Sequence, residues 1–505
     1  MASKTFTTNE LGMNGLLVEV ECHSSNGLPG VVIVGMASKA VDEAKERLRS
    51  AFASSGLTFP KKRLTLNLAP ADQPKEGASM DLAMAASIIL SHSSIKPRVE
   101  IEKVALYGEL ALDGTVRPVR GVVGKVLAAR HHGFSAVVVP KDNTNQANLV
   151  DNINVFEIVH LRELSEWLFG SGDLTLSTTH SADEKPVFNP DEDFSSVVGH
   201  SLAKRALEIA AAGGHNVLLN GPPGSGKSML AKAFVTILPP LAKQQIIEAT
   251  HLHSLVNSSY DSIVGLPPFR SPHHTASSIA IIGGGQSSRP GEISLAHHGV
   301  LFLDEFPEYK RDCIEALRQP LEDKVVTVSR IKQTITFPAD FTLIATKNPC
   351  PCGYFGSSKP CRCAPFDIVR YNKKLSGPIL DRIDIHVDIE EIPYSLLGDK
   401  KHTENPSSDV QKRVVTARSI QTSRNPKKQL NTHLTNRKFI DLDLVEDSAR
   451  TFLATAAEKL GISTRGFVRT LRVARTIADL DRSKKIQKKH IAEALQFRPK
   501  NTDIL

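Results

Sequence analysis

The sequence has few cysteines and no long apolar run. Only six of its 505 residues are Cys, too few for a scaffold held together by disulfides. The longest apolar stretches, such as residues 82–90, fall far short of the about 20 residues that a membrane helix needs. The N-terminus lacks the charged and then apolar pattern of a secretory leader, and no repeat of about 20–50 residues indicates a solenoid. We therefore expect a cytoplasmic protein without a membrane partner.

The composition is ordinary for a globular protein, at 41% hydrophobic and 23% charged residues. A chain of 505 residues corresponds to roughly three domains. The formal net charge of +8 mildly favours a polyanionic partner.

The pattern along the chain predicts three α/β or helical domains and one linker. Residues 1–170 alternate strand and helix patterns, 171–193 are a polar linker, 194–394 form a second α/β domain, and 395–505 form a small helical domain. In the first domain we expect strands at 31–35, 63–69 and 135–140, helices at 40–56, 80–90 and 124–133, and a hairpin arm at 104–112 that ends in an Asp113-Gly114 turn. In the last we expect helices at 409–423, 445–459, 464–480 and 487–496.

A phosphate-binding loop is the strongest signal. A short apolar strand precedes GPPGSGKS, which fits G-x-x-x-x-G-K-S/T, and a helix follows, as the motif requires. Backbone N–H groups and the helix N-terminus would face the phosphates, while the Lys side chain reaches the β- and γ-phosphates and the last Ser binds Mg²⁺. The expected nucleotide-binding residues are Gly221, Pro222, Pro223, Gly224, Ser225, Gly226, Lys227 and Ser228.

Three further segments fit the same chemistry. The strand 299–306 ends in Asp304, expected to hold Mg²⁺, and Glu305, expected to activate the attacking water as a general base. Another apolar strand leads to Asn348, which would orient that water or else cap a turn. Arg382 lies between two aspartates, where it would reach a neighbouring subunit's γ-phosphate or form a salt bridge within its own chain.

Four of the cysteines form a cluster. Cys350, Cys352, Cys361 and Cys363 have the spacing C-x-C-x8-C-x-C, which suits one tetrahedral zinc ion with Zn–S distances of about 2.3 Å. The remaining readings are redox-active thiols or free cysteines. We expect a structural Zn²⁺ that shapes the loop after Asn348.

These motifs, in this order, resemble an AAA+ ATPase, and the stretches PPFRSPHHTASS (267–278) and PGEISLAHHGVLFLDE (290–305) resemble its magnesium-chelatase-like branch. The layout of about residues 1–500 is similar to the ComM/YifB family. The resemblance implies a homo-hexameric ring, and it also allows a higher assembly in which rings are stacked. Such a ring would bind ATP between its subunits, with Arg382 acting in trans. It also implies a sensor-2 arginine in the lid, assigned to Arg465 with Arg469 as the rival.

The same resemblance implies contacts with DNA. It places a hairpin over 323–338 in the ring pore, where Arg330 and Lys332 at the tip suit a phosphate backbone unless they are merely solvated. It identifies residues 267–294 as the helix-2 insertion, with Arg270 as a further DNA contact. His273 and His274 remain open between metal binding and packing.

The N-terminal domain resembles the proteolytic domain of Lon. Ser79 falls where the Lon nucleophile lies, but Val123 occupies the position of the partner lysine, and Lys125 faces roughly the opposite side of its helix. A serine without a base is a poor nucleophile, so we expect the fold without peptidase activity.

The expected function is that of a hexameric, ATP-driven DNA translocase or helicase that promotes branch migration of single-stranded or branched DNA during recombination in natural transformation. The alternatives are an ATPase that remodels a protein partner, as a chelatase motor does, and, with weaker support, an ATP-dependent protease.

Overall fold

The computed structural model describes residues 2–11, 14–36, 38–73, 75, 77–177, 192–257, 259–285, 289–329, 334–392 and 406–499. The chain forms two compact units, of which the first comprises 1–184, 242–264 and 329–337 and the second comprises 185–241, 265–328 and 338–505. The units do not follow chain order, because 242–264 pack within the first. The domain boundaries stay predictions, and most of the expected linker (178–191) lies outside the described residues.

Between residues 2 and 177, the described residues form ten strands and six α-helices. The strands are β1 (Ala2–Leu11), β2 (Asn14–Ser25), β3 (Gly30–Val34), β4 (Arg63–Ala69), β5 (Val104–Leu106), β6 (Glu109–Leu110), β7 (Val116–Arg117), β8 (Ala136–Pro140), β9 (Asn154–Ile158) and β10 (Thr175–Leu176). The helices are α1 (Lys39–Asp42), α2 (Ala44–Ser54), α3 (Asp81–His92), α4 (Val122–His131), α5 (Thr144–Ala147) and α6 (Leu161–Phe169).

The first unit is built on a mixed eight-stranded sheet in the order β10-β9-β8-β5-β1-β2-β4-β3. β1 runs antiparallel to β2, while β5, β8 and β9 are parallel to one another. In β4, Leu64, Leu66 and Leu68 are buried and alternate with more exposed residues, as expected for a strand with one face on a core. Apolar clusters cover the sheet, one including residues of α2, α3 and α6 and another including residues of α4.

The expected hairpin arm over 104–112 is divided in the structure. β5 belongs to the large sheet, and only β6 pairs with β7 across the Asp113-Gly114 turn. The break lies at Gly108, whose N–H donates to the Ser79 carbonyl (3.1 Å) and whose own carbonyl accepts from the Leu82 N–H (3.1 Å). These bonds to the start of α3 replace those of a continuous strand.

The described part of residues 192–392 contains nine strands and nine α-helices. The strands are β11 (Val217–Asn220), β12 (Phe269–Arg270), β13 (Gly283–Gly284), β14 (Arg289–Pro290), β15 (Val300–Leu303), β16 (Val325–Ser329), β17 (Thr334–Pro338), β18 (Thr342–Lys347) and β19 (Ile385–Asp388). The helices are α7 (Ser201–Gly213), α8 (Lys227–Thr236), α9 (Lys243–Ser254), α10 (Ser278–Ile282), α11 (Glu292–Leu295), α12 (Arg311–Ala316), α13 (Arg318–Asp323), α14 (Pro365–Asn372) and α15 (Gly377–Leu380).

The second unit is built on a parallel five-stranded sheet in the order β12-β15-β18-β11-β19. Both faces are buried, as parallel sheets require. Leu301 and Leu303 of β15 contribute to one apolar cluster, while Val300 and Phe302 contribute to the other. All five strands point the same way, so their carboxyl ends share one edge, where ligands bind in open α/β sheets.

The C-terminal part of the second unit is helical. Its helices are α16 (Ser407–Arg424), α17 (Asn436–Asp441), α18 (Asp447–Leu460), α19 (Thr464–Leu480) and α20 (Lys488–Gln496). α19 covers the residues expected from the sequence and begins at Ser463, whose hydroxyl accepts from the Gly466 N–H (3.2 Å). Its buried face shares one apolar cluster with α7 and α8, so these helices are packed onto the sheet layer. Across the described residues, no helix combines the length and apolar character needed to cross a membrane.

Candidate active site

The expected phosphate loop joins β11 to α8. Gly224 (φ +78°) and Gly226 (φ +81°) adopt the left-handed conformation, which glycine reaches without steric cost. At Gly221 a side chain is excluded for a different reason, since a Cβ there would lie 2.5 Å from the Ile389 carbonyl oxygen. The loop leads directly into the N-terminus of α8, and a helix N-terminus is a favourable anion site.

The Lys227 ammonium lies inside this loop. It donates to the carbonyl oxygens of Gly221 (2.7 Å) and Pro222 (2.8 Å) and to Asn348 Oδ1 (3.2 Å). Burial lowers the pKa of Lys227 to about 8, against the opposing effect of the Asp304 and Glu305 charges. A desolvated cation held by neutral oxygens gains most from an anionic ligand such as a phosphate group.

Asp304 follows β15 and stands opposite the start of α8. Its Oδ2 accepts from the Ser228 hydroxyl (3.2 Å) and its Oδ1 from the Thr346 hydroxyl (2.5 Å). Oxygen ligands of this kind suit Mg²⁺, so Ser228 and Asp304 fit the metal role expected of them.

Thr346 is a site residue that sequence reasoning missed. It is 1% exposed, and besides binding Asp304 its hydroxyl accepts from the Glu305 N–H (3.0 Å). It lies near the end of β18, and its role depends on β18 lying beside β15, which no local pattern in the sequence specifies. One side chain of β18 thus holds both acidic residues after β15.

Glu305, the expected general base, has a positive φ of 51°. This conformation is uncommon for a residue with a side chain and clusters at functional sites. Its carboxylate lies 3.7 Å from His274 Nδ1, and the His274 ring packs against those of His273 and Tyr309. Of the two histidines that the sequence left open, His274 thus lies at the expected base.

Arg382 is paired within its own chain. Its guanidinium donates to the Pro378 carbonyl (2.6 Å) and forms an ion pair with Glu322. This arrangement is the salt bridge weighed as the alternative for Arg382, and it leaves the role in trans a prediction that requires the pair to open.

The two sensor-2 candidates have different surroundings. Arg465 is exposed near the start of α19, whereas Arg469 lies 3.8 Å from the buried Asp384. Burial alone would raise the pKa of Asp384, but the hydrogen bond from His215 and the nearby positive charges hold it well below its usual range. Arg469 thus takes part in a structural ion pair, and the assignment of Arg465 stays a prediction.

The four clustered cysteines converge on one point. Their sulfur atoms lie within 4.8 Å of one another, with separations of 3.4 Å (Cys350–Cys352), 3.6 Å (Cys352–Cys361) and 3.7 Å (Cys350–Cys361). A tetrahedral zinc ion with Zn–S of about 2.3 Å needs sulfur separations of about 3.8 Å. Backbone N–H groups of Tyr354 and Arg362 lower the pKa of Cys352 to about 6, whereas burial and the neighbouring thiols raise the pKa values of Cys361 and Cys363. The set can therefore hold a tetrahedral metal ion.

The expected DNA contacts are only partly described. Arg330 and Lys332 lie outside the described residues, although the flanking strands β16 and β17 are observed. Arg270 forms a two-point ion pair with Glu292 (2.6 and 2.7 Å). Its contact with DNA stays a prediction, and in this structure its guanidinium is engaged.

In the first unit, the position of the Lon lysine lies in an apolar cluster. Val123, at the position of the Lon lysine, is fully buried with Val122 and Val126. Lys125 is also buried, and its carbonyl accepts from the Tyr107 hydroxyl (3.0 Å). Absence of peptidase activity stays a prediction.

Comparison with known families agrees with this geometry. Residues 193–397 match the model for magnesium chelatase, subunit ChlI; residues 20–143 match that for subunit ChlI of Mg-chelatase; and residues 404–498 match that for its C-terminal region. The competence protein ComM of Haemophilus influenzae is 40% identical over 497 residues, which cover 98% of this chain and 96% of that protein.

Two other relatives differ in how much of this chain they match. YifB of Salmonella typhimurium is 40% identical over 493 residues, or 97% of this chain and 96% of that protein. The Lon protease of Azorhizobium caulinodans is 28% identical over 200 residues, which cover 37% of this chain and 23% of that protein. The long matches at 40% identity show that this chain belongs to the magnesium-chelatase-like AAA+ family that includes ComM and YifB.

Proposed function

We propose that the chain is the protomer of a hexameric ring that uses ATP hydrolysis to translocate DNA and that promotes branch migration during recombination in natural transformation. The observation that carries the ATPase part is the convergence of Lys227, Asn348, Ser228 and Asp304 at the carboxyl edge of a parallel sheet. The DNA part is supported by the basic residues of the hairpin and by the name of the Haemophilus influenzae relative, a competence protein.

In this proposal each polar group of the site has one task in phosphoryl transfer. Gly221, Pro222, Pro223, Gly224, Ser225 and Gly226 supply the loop around the phosphates. Lys227 neutralises the β- and γ-phosphates, Asn348 orients the attacking water, and Glu305 accepts its proton. Ser228 and Asp304 hold Mg²⁺, which when bound neutralises developing charge on the phosphate oxygens.

Assembly would complete the site. Arg382 exchanges its partner Glu322 for a neighbouring subunit's γ-phosphate, and Arg465 acts as the sensor-2 residue. Mixed rings test this arrangement: Lys227→Ala subunits supply no functional phosphate loop, and Arg382→Ala subunits supply no finger. Partial recovery of ATP hydrolysis on mixing the two supports action in trans, whereas no recovery at any mixing ratio contradicts it.

The four-cysteine cluster is assigned to a structural Zn²⁺. The sulfur separations described above support tetrahedral coordination, and Cys350, Cys352, Cys361 and Cys363 supply the four thiolates. Metal analysis of the purified chain should give one zinc per protomer, and Cys361→Ser should lower this content.

The DNA hypothesis is tested by the ATP hydrolysis rate of the full chain with and without single-stranded and branched DNA, with Glu305→Gln as the blank. We expect strong stimulation by DNA that is reduced in Arg330→Ala plus Lys332→Ala. The matched control is Lys61→Ala plus Lys62→Ala, which removes the same charge from an exposed site. ATP hydrolysis that is indifferent to DNA would contradict the translocase and favour remodelling of a protein partner.

A further inference from the structure

The segment from Asn348 to Asn372 leaves the phosphate site and returns to it. The Asn348 side chain accepts a hydrogen bond from the Lys227 ammonium, and the chain then passes through the four cysteines into α14. At the end of α14 the Tyr371 hydroxyl interacts with the Asn348 backbone, and the Asn372 side chain accepts from the Lys347 ammonium (3.5 Å). Both ends of the segment are therefore fixed beside the residue that contacts Lys227.

Near its start, the same segment lies against the phosphate loop. Gly353, one residue after Cys352, has a φ of +87°, and a Cβ added there would lie 2.7 Å from Pro223 Cδ and 3.9 Å from Asn348 Cγ. Its N–H donates to the Cys350 carbonyl (3.0 Å). The contact with the phosphate loop is thus made by bare backbone, with no room for a side chain.

Gly356, three residues further on, makes no such contact. Its φ of +75° is also left-handed, but a Cβ there would meet no atom within 4 Å. The two glycines have similar left-handed conformations within one loop, so an alanine would be strained at either position. They differ in what they face.

We propose that Gly353 is a positioning residue that links metal binding at the four cysteines to nucleotide binding at the phosphate loop. The inference rests on the proposed function, since it needs both ATP and a metal ion to bind. A metal ion bound by four thiolates fixes a loop that otherwise gains conformational freedom. With the loop fixed, Gly353 holds Pro223, and Asn348 keeps its place at Lys227. Because such coupling is reciprocal, bound nucleotide must also slow the loss of the metal ion from the four cysteines.

The experiment compares Gly353→Ala with Gly356→Ala in the full chain. Zinc content, kcat and KM for ATP are measured, together with the rate of zinc transfer to a chromogenic chelator with and without a non-hydrolysable ATP analogue. In the wild type and in Gly356→Ala we expect the analogue to slow zinc release about tenfold, within the usual range for coupled sites. In Gly353→Ala we expect zinc to be retained, KM for ATP to rise about tenfold, and the analogue to have no effect on zinc release.

Pro223→Ala provides a second variant. It removes the Pro223 ring that faces Gly353, and it does not place a side chain at a position with left-handed backbone. It should weaken the effect of the analogue on zinc release even if Gly353→Ala does not fold. Zinc release that nucleotide slows equally in the wild type, Gly353→Ala and Pro223→Ala would overturn the inference, as would wild-type release that nucleotide does not change. A wild type that binds nucleotide and zinc with this coupling but does not hydrolyse ATP would overturn the proposed function alone.

Discussion

In the second unit, polar side chains from one helix and from the ends of two strands meet at one edge of a parallel sheet, whereas in the first unit the position of the Lon lysine is taken by the buried Val123. Lys227 bonds to Asn348, and Ser228 bonds to Asp304. Val123 lies in an apolar cluster. The difference illustrates our prediction that the first unit resembles the Lon family but lacks the partner that its chemistry needs, because function depends on groups in a site and not on a fold.

Two buried charges, one in each unit, also differ in what binds them. In the first unit Asp81 is bound by two nitrogens of Arg47 (2.7 and 3.0 Å) and by the Leu110 N–H (3.2 Å), so its hydrogen-bonding capacity is spent on structure. In the second unit the Lys227 ammonium is bound mainly by neutral carbonyl oxygens. Charge available to a ligand therefore distinguishes a binding site from a structural pair.

The largest expected effect is on Glu305. Glu305→Gln should retain nucleotide binding but lower kcat for ATP hydrolysis by about 10²–10⁴-fold, since a general base is worth that much. Glu308→Gln is the control, because Glu308 is an exposed partner of Lys374 and should leave kcat within about twofold. Steady-state hydrolysis and nucleotide-binding titrations measure both, and unchanged turnover in Glu305→Gln would remove Glu305 from the base role.

Thr346 should have the next largest effect. Thr346→Val removes a hydroxyl that bonds to both Asp304 and the Glu305 backbone, and hydrogen bonds to charged groups are worth about 1.5–3 kcal/mol. We expect kcat to fall about 10–100-fold with a smaller change in KM for ATP.

Thr346→Ser is the matched control for that change, because it restores the hydroxyl and should recover kcat to within about threefold of the wild type. Equal losses in the Val and Ser variants would mean that Thr346 acts by packing and does not orient the acidic residues.

These two residues also show how far the sequence reaches. Glu305 could be proposed from the sequence, because an Asp-Glu pair after an apolar run and downstream of a phosphate loop indicates residues for Mg²⁺ binding and water activation. Thr346 could not, since its role depends on β18 lying beside β15, which no local pattern specifies. The split of the expected arm 104–112 has a similar cause, because the bonds of Gly108 go to residues 79 and 82, far away in sequence.

The pairing of Arg382 illustrates the opposite case. Its position between two aspartates allowed either a salt bridge or a contact with a neighbour, and the single chain shows the bridge to Glu322. Contacts that form only in an assembly leave no pattern in one chain, so the fold around the phosphate could be anticipated better than the residues that act across subunits.

A structural role for the Asp81–Arg47 pair predicts an effect on stability. Arg47→Ala leaves the buried Asp81 without its cation and should lower the free energy of unfolding by about 2–3 kcal/mol, less than the about 3–5 kcal/mol of a fully buried pair because Arg47 stays partly exposed. Arg49→Ala, which breaks an exposed pair on the same helix, should cost under about 0.5 kcal/mol. Denaturant unfolding measures both changes. Equal effects would show that burial of Asp81 does not make its pair special.

The smallest expected effect is that of Ser79→Ala, and it bears most directly on the contrast between the units. A serine hydroxyl attacks a peptide carbonyl only when a neighbouring base removes its proton. The Lon lysine position is Val123, and Lys125 is buried with its carbonyl bound to Tyr107. We therefore expect no peptide hydrolysis by the wild type with ATP and magnesium present, and no change in Ser79→Ala. Hydrolysis of a fluorogenic peptide that is lost in both Ser79→Ala and Lys125→Met would contradict this expectation. It would mean that Lys125 replaces the missing lysine from the other side of α4, and that the first unit is an enzyme in its own right.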